Sequence, residues 1–242
     1  MSQHKSLVII PTYNEIENIE AMINKVFSLE ESVDLLVIDD GSPDGTAAVV
    51  KSMQEKYSGL HIVERTGKLG LGTAYIAGFK WALERDYDYI CEMDCDFSHN
   101  PDDLTKLISA CRDEGFDLSI GSRYVTGVNV VNWPMGRVIM SYYASKYVRT
   151  VLGMKVRDCT AGFVCFTRKV LQTINLDDVR MKGYGFQIEM KYSTFKLGFK
   201  IKEVPIIFTD RTEGTSKMSG GIFGEAFWGV LKMRFRKIKS KE

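Results

Sequence analysis

Ile90-Cys91-Glu92-Met93-Asp94-Cys95-Asp96-Phe97-Ser98-His99-Asn100-Pro101 runs from an apolar, β-forming segment into two carboxylates one residue apart. The stretch reads as a strand carrying Asp94 and Asp96 at its tip. On an extended backbone side chains repeat every second residue, so the two would point the same way. Two hard oxygen ligands beside open coordination positions suit Mg²⁺ or Mn²⁺ shared with a substrate diphosphate. Taken alone, the same residues also describe a solvated turn capping a helix that starts near Pro101. What the flanking chain delivers to the same edge decides between the two.

Upstream, strands and helices alternate. Ser6 to Ile10 is a β-rich run closed by Pro11, and from Glu15 to Leu29 apolar residues recur at helical spacing (Ile16, Ile19, Met22, Ile23, Val26). The intervening turn, Pro11-Thr12-Tyr13-Asn14-Glu15, lacks the Gly-x-Gly-x-x-Gly that lets a dinucleotide pyrophosphate approach a helix N-terminus, which removes the main support for a dehydrogenase. Val33 to Ile38 is a second strand, ending in Asp39-Asp40-Gly41-Ser42-Pro43-Asp44-Gly45-Thr46 before a helix to about Tyr57. Asp44 and Thr46 read as turn and cap. Asp39 instead ends a strand, at the edge where open α/β sheets bind ligands. His61 to Glu64 forms a third strand, and Gly67-Lys68-Leu69-Gly70-Leu71-Gly72 leads into a helix through Leu83. Its glycines resemble a phosphate loop, although close packing of the helix start accounts for Gly70 and Gly72 equally well. Tyr87 to Met93 is the fourth strand.

Downstream, a helix from Pro101 to Glu114 precedes a strand at Asp117 to Ile120, which delivers Gly121-Ser122-Arg123-Tyr124. Arg123, at a strand end beside the carboxylates, reads as a phosphate clamp. Val125 to Asn132 reads as a loop, and Pro134 to Leu152 as a helix with Arg137 and Ser141 one turn apart on one face. Strands are expected up to Phe166 and over Lys200 to Thr209, with a helix opening at Gly183-Tyr184-Gly185-Phe186 that carries Gln187 and Glu189. The loop Asp210-Arg211-Thr212-Glu213-Gly214-Thr215-Ser216-Lys217 has the composition of a lid over a phosphorylated ligand. Ile222, Phe223, Phe227, Trp228 and Leu231 mark a final amphipathic helix, followed by a basic run to Lys241.

Bulk properties narrow the function. The 242 residues, 45% hydrophobic, suffice for one core, and a net charge of +1 excludes a surface built for nucleic acid. Five cysteines without Cys-x-x-Cys spacing point away from a disulfide framework or a zinc site. No uncharged apolar stretch is long enough to span a bilayer, so the expectation is a cytoplasmic protein or one peripheral on the cytoplasmic face of a membrane.

The motifs Pro11 to Glu15, Asp39 to Thr46, Met93 to His99, Gly121 to Tyr124, Gly183 to Glu189, and Glu203-Val204-Pro205-Ile206 with Asp210-Arg211 and Ser216-Lys217 together resemble the family 2 glycosyltransferases, and within them the polyprenol monophosphate mannose synthases. The resemblance implies an α/β GT-A (nucleotide-diphospho-sugar transferase) fold, its mostly parallel central sheet flanked by helices, over residues 1–219. The amphipathic helix and basic tail over 220–242, read from the residues themselves, suit either an anchor on a membrane surface or packing on the transferase domain. The resemblance also implies GDP-mannose as donor, a polyprenyl phosphate lipid as acceptor and the membrane surface as the place of work. Pro11, Tyr13, Glu15, Val37 and Asp39 would hold the nucleoside, with Cys95 and Ser98 in the same donor site. Asp94 and Asp96 would carry Mg²⁺ or Mn²⁺. Arg123, Arg211 and Lys217 would contact phosphates, and Arg123, Arg137 and Ser141 the acceptor phosphate. Ser98 stands where some relatives place a glutamine metal contact. A related transferase using a UDP-sugar is the nearest alternative. A sugar nucleotidyltransferase would need a glycine-rich basic turn after the first strand, and a non-catalytic binding protein would have no use for the cations at Arg123, Arg211 and Lys217.

Overall fold

The computed structural model describes residues 4–181, 183–210 and 221–241. Its first half is four strand–helix units: β1 (Ser6–Thr12), α1 (Ile19–Phe27), β2 (Val33–Asp39), α2 (Thr46–Met53), β3 (Leu60–Glu64), α3 (Leu71–Leu83), β4 (Tyr89–Glu92) and α4 (Asp103–Arg112). Then come β5 (Leu118–Ser122), β6 (Val130–Val131), α5 (Met135–Leu152), β7 (Val164–Thr167) and α6 (Arg168–Thr173). The chain closes with α7 (Gly183–Lys196), β8 (Ile201–Pro205), β9 (Phe208–Thr209) and α8 (Gly221–Phe235).

Seven strands form one sheet in the order β3-β2-β1-β4-β7-β5-β8, in which only β7 runs against its neighbours. Period-two alternation divides each inner strand between two cores. Leu7, Ile9, Leu36 and Ile38 face a cluster built with α3, α5, α7 and α8, while Val8, Ile10, Leu35 and Val37 face one built with α1, α2 and α4. Strand order reverses between β1 and β4. At such a switch point the loops leaving the carboxyl ends diverge and open a crevice.

The sequence expectations differ from the fold in four places. Pro11 lies inside β1 instead of closing it, because beyond Ile9 only β2 runs alongside and a residue without an N–H breaks no ladder on the open side. The loop expected over Val125 to Asn132 contains β6, which pairs in parallel with β9. The single strand expected over Lys200 to Thr209 is two: Pro205 ends β8, and after the exposed Ile207 the chain enters the small β6–β9 sheet. The α6 helix was not anticipated; its six residues are too few to show a helical period.

The C-terminal helix is packed on the body. Val230 and Met233 are 1% and 3% exposed in the first core cluster. Beyond it Arg236 pairs with the buried Glu189, and Ser240 bridges to Ile174. The expected boundary between 219 and 220 falls outside the described residues, as do Arg211 and Lys217.

Candidate active site

β4 ends at Glu92, so Asp94 and Asp96 sit in a turn rather than on extended backbone, and Phe97 has a left-handed φ of 57°. Alternation on a strand therefore does not explain their common direction. The turn itself brings both into one cleft of about 580 Å³. Asp96 Oδ1 accepts from the Ser98 amide at 3.1 Å and from the Ser98 hydroxyl, which makes Ser98 an orienting partner of the carboxylate. Asp94 keeps 41% of its side chain exposed.

His99, absent from the expected site, packs its ring between Phe163 (5.0 Å) and Phe208 (5.2 Å), with Nδ1 4.0 Å from Asp94 Oδ2 and no hydrogen-bond partner among the described residues. Burial pushes the imidazole down to about 4, so at neutral pH the ring is uncharged. Among the described residues no three metal-binding side chains converge. Two carboxylates in an open cleft nevertheless fit a hard divalent ion that completes its shell with water or phosphate oxygens.

The loops after β1 and β2 leave the same carboxyl edge of the sheet as the tip of β4. Asp39 is 1% exposed; its carboxylate accepts from Thr12 Oγ1 (2.9 Å), the Ser42 amide (2.9 Å) and Ser42 Oγ (2.6 Å). It shapes its own turn. Asp40 clamps Arg65 at 2.6 Å. Asp44 accepts from Thr46 and from the Ile16 amide, tying the β1 and β2 loops together as a turn-and-cap residue. Pro11 and Tyr13 are half-buried at the rim, Lys68 stands 5.1 Å above the Tyr13 ring, and the Glu15 amide donates to Thr46 Oγ1.

Two members of the expected donor set have buried side chains, which leaves their backbone to face a ligand. Val37 is 0% exposed in the second core cluster. The Cys95 side chain turns into the same cluster. In the glycine-rich loop, a Cβ on Gly72 would stand 2.9 Å from the Phe186 ring, so this glycine serves helix packing.

The opposite wall comes from β5 and α5. Arg123 is nearly buried and forks onto Asp158, with Nε to Oδ2 at 2.7 Å and Nη2 to Oδ1 at 2.6 Å, and Nη2 also reaches Thr160 Oγ1 at 2.9 Å. Burial alone would raise the Asp158 carboxyl; the guanidinium offsets it and holds the group below its ordinary value. Arg137 and Ser141 do share a face and line the cleft. Arg137 donates to Asp210 at 2.8 Å and covers the Trp133 ring at 4.1 Å, while Ser141 Oγ accepts from Tyr124 Oη at 2.8 Å. Past them the cleft becomes apolar, lined by Met140, Ala144, Tyr147, Val148, Phe227 and Val230 between α5 and α8.

Beneath the floor lies a buried polar network. Lys191, 0% exposed, donates to Ala161 O at 2.6 Å and to Gln187 Oε1 at 3.1 Å, and Gln187 Nε2 donates to Glu92, also 0% exposed. Burial pushes Glu92 up to about 8 and Lys191 down to about 8, each partly offset by the other's charge. Glu92 closes an otherwise apolar strand, and that is the one trace of this network in the sequence.

The profile described as Glycosyl transferase family 2 matches residues 7–174. A Micrococcus luteus protein described as an undecaprenyl-phosphate mannosyltransferase is 47% identical over 226 residues, 93% of this chain and 92% of its own. A Mycolicibacterium smegmatis polyprenol monophosphomannose synthase is 46% identical, covering 96% of this chain and 88% of its own. Among solved structures, glucosyl-3-phosphoglycerate synthase from Mycobacterium tuberculosis, in complex with Mn²⁺, UDP-glucose and phosphoglyceric acid, superposes with a TM-score of 0.71 at 22% identity, covering 96% of this chain and 80% of its own. A Pyrobaculum calidifontis mannosyltransferase in complex with GDP-mannose and Mn²⁺ gives 0.57 at 15% identity, over 96% and 70%. Both superpositions concern the fold, which is the mixed α/β architecture of GT-A glycosyltransferases.

Proposed function

The chain belongs to glycosyltransferase family 2, and we propose that it transfers mannose from GDP-mannose to a polyprenyl phosphate, with inversion at the anomeric carbon and release of GDP. The observation that carries this reading is the two-ended cleft: the carboxylates Asp94 and Asp96 at one end, an apolar channel between α5 and α8 at the other, and Arg137 between them. A nucleotide-sugar and a lipid phosphate need those two environments within one cavity. The relatives named for undecaprenyl phosphate and polyprenol support the acceptor class, and their mannosyl products support the sugar.

In this reading Pro11, Tyr13, Glu15 and the turn shaped by Asp39 border the nucleoside. Asp94 and Asp96 hold Mg²⁺ or Mn²⁺, which when bound supplies positive charge against the departing diphosphate. Arg211 and Lys217 belong to the phosphate set on sequence grounds. A phosphate monoester oxygen is already anionic at neutral pH, so the acceptor needs no strong general base and the work of the protein is alignment. Arg137 and Ser141 orient that phosphate. Arg123 acts on it from within its pair with Asp158.

No helix among the described residues is long and apolar enough to cross a membrane. The outer faces of α5 and α8 leave Met135, Ile139, Tyr143, Phe227, Trp228 and Phe235 exposed, next to the basic residues Lys232 to Lys241. An apolar face rimmed by cations suits peripheral contact with an anionic bilayer, on the cytoplasmic side where nucleotide-sugars are held. The test is incubation with radiolabelled GDP-mannose, a short polyprenyl phosphate and Mg²⁺ or Mn²⁺, with UDP-glucose in parallel. Label should move to the organic phase from GDP-mannose and stop when EDTA removes the metal. Transfer from UDP-glucose alone would overturn the donor assignment, and EDTA-resistant transfer the metal.

A further inference from the structure

Gln187 is 1% exposed, yet its side chain forms part of the cleft wall. Its amide is fixed from both ends. The Lys191 ammonium can only donate, so the atom facing it at 3.1 Å must be the amide oxygen, and the nitrogen is thereby turned to the Glu92 carboxylate. A primary amide nitrogen carries two hydrogens. Glu92 accepts one, and the second has no acceptor among the described residues.

The second hydrogen has room in front of it because residue 162 is glycine. A Cβ built on Gly162 would stand 3.9 Å from Gln187 Nε2 and 4.0 Å from Asp94 Oδ2, with no other described atom within 4 Å. Gly162 also lines the cleft, and the preceding carbonyl, that of Ala161, is held from below by Lys191. The result is a small bay: a bare backbone floor, the Asp94 carboxylate at one side and an oriented amide N–H at the other. Hydroxyl groups both donate and accept, which suits a polyol ring to a bay with one acceptor and one donor facing each other.

Resting on the glycosyl-transfer reading above, we infer that Gln187 contacts the transferred hexose, donating its second amide hydrogen to a sugar hydroxyl lying over Gly162, with Lys191 and Glu92 as positioning residues that act through it. Gly162 is a specificity-determining position because any side chain there occupies the space of the ring.

Calorimetric titration of the full chain with GDP and with GDP-mannose, in the presence of Mn²⁺, separates this role from a structural one. Gly162→Ala meets only ordinary contact distances and should melt with the wild type. It should bind GDP as the wild type does, and lose about 10–200-fold in GDP-mannose affinity or transfer rate, the range for one misplaced methyl in a pocket. Gln187→Glu keeps an oxygen for Lys191 but has no hydrogen to give, and should show the same selective loss. Should that chain fail to fold, Gly162→Ala alone decides. Wild-type transfer by Gly162→Ala, or equal losses for GDP and GDP-mannose, would overturn the sugar contact. If the wild type proves to use UDP-glucose, the donor assignment falls separately, and the same variants are compared with UDP and UDP-glucose.

Discussion

The two arginines of the cleft occupy opposite kinds of ground. Arg123, on the sheet, has 9% of its side chain exposed and is locked in a bidentate pair with Asp158, itself 0% exposed. Arg137, on α5, has 29% exposed and pairs with Asp210, which is 27% exposed. The first is part of the frame, since two charges taken out of water persist there only with near-ideal geometry. The second sits in a high-dielectric mouth where an ion pair is worth little and its partner is exchangeable. The guanidinium at the end of β5 is therefore held in a buried pair, and the one on α5 in a partly exposed pair.

Breaking the frame should have the largest effect. Asp158→Ala strands a buried guanidinium and should cost about 3–5 kcal/mol of stability, read from urea unfolding. If the variant unfolds with the wild type and loses only acceptor use, Arg123 belongs with Arg137 as a ligand-facing cation. Next in size, Arg137→Ala should leave the melting temperature unchanged and raise the acceptor KM about 10–100-fold, the worth of one charged hydrogen bond, with donor KM nearly constant. A matching rise in donor KM would move Arg137 to the diphosphate. Smallest is Trp228→Ser with the side chain 63% exposed on α8. It should weaken partition into anionic vesicles about tenfold, the equivalent of roughly 1.4 kcal/mol of lost apolar burial. Binding equal to that of the wild type would show that this face meets something other than lipid.

Much of the frame was legible because period-two and period-3.6 apolar patterns report directly on which side of a sheet or helix is dry. Asp94 and Asp96 were found for a related reason: carboxylates ending an apolar run are conspicuous. Helical spacing gave the shared face of Arg137 and Ser141, and the family resemblance gave their place beside the cleft. What stayed hidden depends on distant pairing. Nothing local to Asp158 or Lys191 says that these charged residues are buried, and Glu92 shows it only by closing an apolar strand, because each is stabilised by a partner from another part of the chain. His99 belongs to the motif that was read, but its role comes from Phe163 and Phe208, which only tertiary structure brings to it. Val37 entered the expected set through the family resemblance alone, and the structure adds that its side chain is covered by the helices of the second core cluster.

The reversed strand β7 has a consequence for the order in which this molecule is made. β1, β2 and β3 pair with strands close by in sequence, joined by single helices, so this side of the sheet can form from local contacts as the chain emerges, and β4 then adds on the far side of β1. β7 must travel back past α5 to insert between β4 and β5, setting Val164 against Glu92 and bringing Gly162 to the tip that carries Asp94. Until it does, β4 and β5 each present an unpaired edge and the bay beside Asp94 has no floor. This long-range insertion is thus also the moment at which the bay acquires its floor, and a chain stalled before it would have β1, β2 and β3 paired while the tip that carries Asp94 stayed open.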